Sequence, residues 1–137
     1  MQHRFLVRAL LAISLACSTS VTFACQLSCE VTYAGATQHL AICPTQEPHQ
    51  VAAVSVGDRF RFKAIHVNDG QLSPRIGIYV YLETPTSPLL LQHVVLRPPY
   101  PVPPAGGTID LLGEQHLYAG PLERELIYRC SMKQETP

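Results

Sequence analysis

Residues 75–84 read RIGIYVYLET, the stretch of the chain that most clearly predicts a β-strand. Its β-branched and aromatic side chains fit the pleated surface of a sheet. Upstream, the residues from Phe60 to Val67 (FRFKAIHV) alternate between an inner face and a charged outer face. The inner positions are Phe60, Phe62, Ala64 and His66, and the outer positions include Arg59, Arg61 and Lys63. A period of two with one charged face predicts a half-buried strand.

Turn signals divide the rest of the chain into further short strands. Gly57-Asp58 and Asn68-Asp69-Gly70 favour turns, because these residue types tolerate positive φ. The other predicted strands are Gln26 to Tyr33, Gln38 to Ile42, Val51 to Val56, Leu89 to Leu96, Thr108 to Leu112, Gln115 to Tyr118 and Glu123 to Met132, with a loop from Pro44 to Pro48. About seven to nine short antiparallel strands predict an all-β fold, a small β-sandwich of general immunoglobulin-like architecture, with a small closed barrel as the alternative.

The 12 prolines argue against long helices. Residues 97–107 read RPPYPVPPAGG and cannot pair inside a sheet, because proline donates no backbone hydrogen bond. We expect this segment to run as polyproline II over the surface, either as a stiff crossover between strands or as a ligand for an aromatic groove. Tyr100, which we expect on an exposed rigid loop, is the predicted contact residue, since aromatic residues are enriched at interface hot spots.

Residues 1–24 read MQHRFLVRALLAISLACSTSVTFA and have the layout of a secretory signal peptide. Arg4 and Arg8 precede an apolar stretch that ends in polar serine and threonine, and this stretch is shorter than the roughly 20 residues of a membrane span. Cleavage after Ala24 leaves residues 25–137 as a single domain with four cysteines, an even number that suits a periplasmic or secreted protein. Cleavage before Cys17 and lipid attachment are the alternatives.

Cys25, Cys29, Cys43 and Cys130 allow three disulfide connectivities. The alternation of apolar residues places Cys29 and Cys130 on the inner faces of the first and last strands. We therefore predict the bridges Cys29–Cys130 and Cys25–Cys43, with Cys29–Cys43 as the competing pair. A redox role is disfavoured, because the sequence has no C-x-x-C and Glu30 adjoins Cys29.

The charge pattern argues against nucleic acid as a partner. Removal of the leader leaves eight basic and ten acidic residues, a net charge of −2, and the basic residues are scattered. Nucleic-acid binders instead carry a basic face or run. The sequence also has no nucleophile elbow, zinc-protease motif, phosphate loop or complete EF-hand loop. These observations predict a protein that is not an enzyme and needs no cofactor.

We therefore expect a secreted or periplasmic binding or envelope-interaction module whose partner is another envelope or extracellular protein, with no stable membrane span. Two alternatives stay open. A small metal-binding protein could gather His66, His93 or His116 with a carboxylate, although the histidines lack ligand spacing in the sequence. A hydrolase inhibitor is the other, and it rests on fold analogy.

Overall fold

The computed structural model describes residues 25–68 and 70–134, and these residues form ten β-strands and no helix. The strands are β1 (Leu27–Tyr33), β2 (Ala36–Ile42), β3 (Pro44–Thr45), β4 (Val54–Val56), β5 (Phe60–Val67), β6 (Arg75–Leu82), β7 (Leu89–Leu96), β8 (Thr108–Asp110), β9 (Gln115–Ala119) and β10 (Arg124–Lys133). Each strand predicted from the sequence is present within three residues of its expected bounds. The predicted leader, residues 1–24, lies outside the described part of the chain, as does Asp69 of the predicted turn.

The strands form two five-stranded sheets that are each built on one long strand. In sheet one the order is β2-β1-β10, and both β8 and β9 pair with the remaining edge of β10. In sheet two the order is β7-β6-β5, and both β3 and β4 pair with the remaining edge of β5. The chain thus brings its first and last long strands together at the centre of sheet one.

One short strand departs from the predicted antiparallel pattern. β3 lies in the segment predicted as a loop and pairs parallel to β5, with Pro44 opposite His66 and Thr45 opposite Val67. Two residues are too few to show the alternation on which strand prediction depends. β3 is therefore the one strand of the described residues that the sequence pattern missed.

The two sheets pack face to face around one apolar core, which confirms the all-β sandwich. The Phe62 ring of sheet two lies 5.2 Å from the Tyr128 ring of sheet one, centroid to centroid. The Tyr128 hydroxyl crosses the core and donates a hydrogen bond of 2.6 Å to the Gln92 side-chain oxygen. Burial raises the pKa of Tyr128 to about 12. This hydrogen bond gives the Tyr128 hydroxyl and the Gln92 side chain a partner inside the sandwich, as polar groups removed from water require.

Two disulfides link Cys29 to Cys130 and Cys25 to Cys43, the connectivity that face parity favours. Cys29 and Cys130 are directly opposite each other in the β1–β10 ladder and are both buried. Their Cα atoms are 4.1 Å apart, close to the spacing of a non-hydrogen-bonded antiparallel pair. This bridge lies within one sheet, whereas the bridge of antibody domains joins the two sheets.

The proline-rich segment forms no strand and crosses from β7 of sheet two to β8 of sheet one, which agrees with the predicted crossover. Its Pro98–Pro99 peptide bond is cis. Within the described residues there is no helix long and apolar enough to cross a membrane.

Candidate functional site

The outer face of sheet two carries three cross-strand rows of side chains from β5, β6 and β7. The register places Arg61, Tyr81 and Leu90 in the first row, Lys63, Tyr79 and His93 in the second, and Ile65, Gly77 and Val95 in the third. These positions face outward because their neighbours along β6, Ile76, Ile78 and Val80, are buried. Aromatic side chains therefore occupy the middle of an outward-facing surface.

We call Tyr79, Tyr81 and His93 the aromatic patch. The Tyr79 ring stacks on the His93 ring with centroids 4.2 Å apart and planes 15° apart. The Tyr79 and Tyr81 rings are parallel within 9°, with centroids 6.4 Å apart. Stacking holds the rings in fixed orientations, so the patch loses little conformational freedom when a partner binds.

Gly77 supports the orientation of the Tyr79 ring. A Cβ atom built at Gly77 would lie 3.1 Å from Tyr79 Cε2 and 3.4 Å from its hydroxyl oxygen. The first distance is tighter than most Cβ contacts, so a side chain at this position would require the ring to move by a few tenths of an ångström. The glycine in the predicted strand therefore leaves room for the ring that follows it two residues later.

Apolar and cationic side chains surround the aromatic patch. Leu90 and Val95 on β7 are 48% and 40% exposed. On the opposite side, Arg61 forms an ion pair with Glu83, and Lys63 is half-buried beside it. An aromatic and aliphatic centre with a charged rim is the composition of a protein-binding hot spot.

The outer face of sheet one differs, because its polar groups are largely paired with one another. Thr32 and Thr37 form a hydrogen bond of 2.8 Å across β1 and β2, and Glu30 pairs with His39 at 3.4 Å. Arg129 contacts carboxylates from two neighbouring segments, at 3.4 Å and 3.7 Å. Such a network is satisfied without a partner, and exposed ion pairs of this kind contribute little binding energy.

His116 lies on β9, an edge strand of sheet one, between two carboxylates. Its Nδ1 is 2.6 Å from Glu125 Oε1 and its Nε2 is 3.0 Å from Glu114 Oε1. The Tyr118 hydroxyl also donates to Glu125, at 2.7 Å. Hydrogen bonds to Glu125 and then Glu114 raise the pKa of His116, and the same bonds to His116 and Tyr118 lower the pKa of Glu125. Only the imidazolium form can donate from both nitrogens.

We expect His116 to titrate above the ordinary imidazole pKa of about 6.5. The network is fully charged between the lowered pKa of Glu125 and the raised pKa of His116, and it is lost as the pH rises through the latter. Glu125→Gln should move the His116 pKa back toward the ordinary value, because it removes the strongest acceptor. An NMR titration of the His116 ring protons measures both values. A midpoint that Glu125→Gln leaves unchanged would contradict the assignment.

A cleft of about 380 Å³ opens at the side of the sandwich between β2 and β5. Leu40, Ile42 and Phe62 contribute to its apolar lining, and His66 lies at one end. His66 is only 2% exposed, and within the described residues its Nδ1 has no hydrogen-bond partner. Burial lowers the pKa of His66, so the imidazole is neutral at physiological pH. The burial of His66 agrees with the inner position that the alternation of this strand predicts.

Tyr100 is not the exposed loop residue that was expected. Its ring is half-buried, packs against the core and lies edge-on to His66 with centroids 6.4 Å apart. Its hydroxyl is buried, without a hydrogen-bond partner in the described residues, and burial raises its pKa. An aromatic ring beside an apolar core edge packs inward even when proline surrounds it. The role of Tyr100 as a contact residue stays a prediction, and the aromatic patch does not include it.

The structure separates the three histidines that the metal hypothesis would bring together. His66 lies inside the sandwich, His93 on the outer face of sheet two and His116 on the outer face of sheet one. Within residues 25–68 and 70–134, no group of three or more His, Cys, Asp or Glu side chains could hold a metal ion. The described part of the chain therefore does not bring these three histidines together at one site.

The sequence did not identify Tyr79 or Tyr81 as functional residues, and it offered His93 only as a possible metal ligand. The signal was present in the strand at residues 75–84, where the two tyrosines occupy the face opposite the aliphatic residues. One sequence alone does not show that the strand with His93 pairs with the strand of the two tyrosines. The stacking of His93 on Tyr79 could therefore not be predicted.

No protein-family model matches this chain, and comparison with curated proteins and with solved structures gives no match either. Function is therefore inferred from the geometry of this chain.

Proposed function

We propose that this protein is a non-enzymatic binding module that works in the periplasm or outside the cell, and that its aromatic patch binds another envelope or extracellular protein. The observation that carries the proposal is the contrast between the two outer faces. One face presents stacked aromatic rings and exposed leucine and valine side chains. The other face is occupied by polar groups that bond to each other.

The compartment is supported by the two disulfides. Bridges of this kind persist in oxidising surroundings and are rare in the reducing cytosol. Cys43 is exposed to solvent, so its bridge to Cys25 would be open to cytosolic reductants. The signal-like composition of residues 1–24 points to the same compartment.

The chemistry of the aromatic patch favours a protein surface as its ligand. Tyrosine supplies a large contact area with only two rotatable side-chain bonds, which explains its enrichment at interface hot spots. Leu90 and Val95 extend the apolar area toward β7. Lys63 lies at the opposite rim, beside the Arg61–Glu83 ion pair. The partner surface that fits is apolar at its centre and carries a carboxylate on the side that meets Lys63.

Substitution of the two patch tyrosines tests the proposal. The combination Tyr79→Ser and Tyr81→Ser removes the rings from a solvent-facing surface, so the fold should be retained. If each ring is a hot spot, the affinity for the partner falls by roughly thirtyfold or more. The measurement is capture of envelope and extracellular proteins by the immobilised protein, followed by titration of the captured protein by calorimetry.

Tyr118→Ser is the matched control, because Tyr118 is a 63% exposed tyrosine on the outer face of sheet one. The proposal predicts that this variant binds like the original protein. A partner that binds the Tyr79/Tyr81 variant with full affinity, or that is lost only with the Tyr118 variant, would reject the aromatic patch as the binding surface. Thermal unfolding of all three proteins shows whether a loss of binding reflects a loss of fold.

A further inference from the structure

β7 forms an open edge of sheet two. One edge of β7 pairs with β6, and no strand among residues 25–68 and 70–134 pairs with the other edge. The turn and loop hydrogen bonds of the described residues do not reach this edge either. The strand therefore presents a row of unpaired backbone N–H and C=O groups, which is a template for another strand.

β7 lacks most of the devices that prevent edge pairing. Its sequence LLLQHVVL contains no lysine, arginine, carboxylate or proline. Charges, prolines and bulges are the usual protection of an edge. One irregularity of register occurs opposite Val80 and Tyr81, near Leu91. Residues 92–96 are regular and remain open to a partner strand.

The side chains of residues 92–96 alternate strictly between the two faces of sheet two. Gln92, Val94 and Leu96 oppose buried residues of β6 and face inward. His93 and Val95 oppose Tyr79 and Gly77 and face outward. In an antiparallel pair, directly opposite residues must lie on the same face. This requirement limits the registers in which the strand can pair with itself.

We infer that β7 pairs with β7 of a second copy of this chain, antiparallel and about a two-fold axis at Val94. The register then places Val94 opposite Val94, His93 opposite Val95 and Gln92 opposite Leu96. Each pair lies on one face and contains no like charges. A two-fold contact of this type is self-complementary and closes after two copies.

The neighbouring two-fold registers that preserve face parity are less favourable. An axis at His93 would place two imidazoles directly opposite each other. An axis at Val95 would bring His93 opposite Arg97, which is the residue after the strand. Both contacts would remove polar or charged side chains from water without an opposite charge to pair with. The axis at Val94 avoids both contacts.

Self-pairing would join the two copies of sheet two into one continuous sheet. The half-buried Val94 side chains of the two copies would contact each other, and each half-buried Leu96 would lie against Gln92 of the other copy. Because the axis is perpendicular to the sheet, both aromatic patches would lie on the same side of the dimer. The inference does not depend on the proposed function, since it rests on the edge of β7 and on its register.

Val95→Lys is the variant that tests this inference. Val95 is 40% exposed on the outer face, so lysine should leave the fold of the single copy intact. In the dimer each substituted lysine would lie directly opposite His93 of the other copy, and lysine is a residue that natural edge strands use to prevent such pairing. We expect the dimer dissociation constant to rise by roughly tenfold or more. Sedimentation equilibrium of the purified, disulfide-bonded protein over micromolar to millimolar concentration measures it.

Leu122→Lys is the control, because Leu122 is a 71% exposed apolar residue in the turn between β9 and β10. The inference predicts a concentration-dependent dimer for the original protein and for Leu122→Lys, weakened in Val95→Lys. Amide exchange should show protection that rises with concentration at β7. A protein that is monomeric throughout this range, a dimer equally stable in Val95→Lys, or protection confined to another strand would overturn it.

Discussion

Replacing both Cys29 and Cys130 by alanine is expected to lower the free energy of unfolding by roughly 4–5 kcal/mol. The bridge spans 101 residues, so its loss frees almost the whole described chain in the unfolded state. For a domain of about 110 residues, this change corresponds to a fall in Tm of roughly 20 °C. Such a loss is a large part of the 5–15 kcal/mol that stabilises a typical domain.

Removal of the second bridge supplies the comparison. Cys25 and Cys43 are 18 residues apart, so their double replacement by alanine should cost about 3 kcal/mol. Calorimetric unfolding of the two variants shows which of them loses more stability. An equal or larger loss in the Cys25/Cys43 variant would mean that loop length does not govern the contribution of these bridges.

Phe62→Ala is expected to destabilise the protein by about 3–5 kcal/mol. The side chain is fully buried, and its ring lies against Tyr128 of the opposite sheet. Truncation leaves a cavity between the sheets at the point where Tyr128 also holds Gln92. The loss therefore combines the transfer free energy of the ring with the contacts that surrounding atoms no longer make.

Lys63→Ala is the neighbouring control, because Lys63 follows Phe62 on β5 and belongs to the outer face. Away from buried groups, surface substitutions usually change stability by no more than about 0.5 kcal/mol. Urea unfolding of both variants, with the denaturant slope reported, measures the difference. A Phe62→Ala variant that unfolds at nearly the original urea concentration would show that the sheets do not meet at this ring.

The strands could be predicted because the alternation of apolar and polar residues is visible within short stretches of the chain. Phe60 to Val67 matches the structure exactly in its bounds, and the face parity that put Cys29 and Cys130 inside also selects their bridge. Local pattern does not determine which strands become neighbours. The intra-sheet position of the bridge and the parallel pairing of β3 therefore came only from the structure.

The candidate site was harder to predict for the same reason. Tyr79 and Tyr81 share a face by spacing alone, but the stacking of His93 depends on the register between β6 and β7. Tyr100 was expected to be exposed because proline surrounds it. Its ring instead packs beside His66, which follows from how the crossover returns to the core. Contacts between segments distant in the sequence decide such features.

The pairing of the first strand with the last also affects how quickly the native state can be reached. β1 pairs with β10 along one of its edges, and this edge has no partner until residues 124–133 have been made. Contacts between residues so distant in sequence form slowly. Until then the nearest thiols to Cys29 in the described chain are those of Cys25 and Cys43. Any bond that oxidation forms early between Cys29 and these neighbours must be exchanged by thiolate attack before Cys130 can take its place. Whenever such a bond forms first, correct maturation requires rearrangement as well as oxidation.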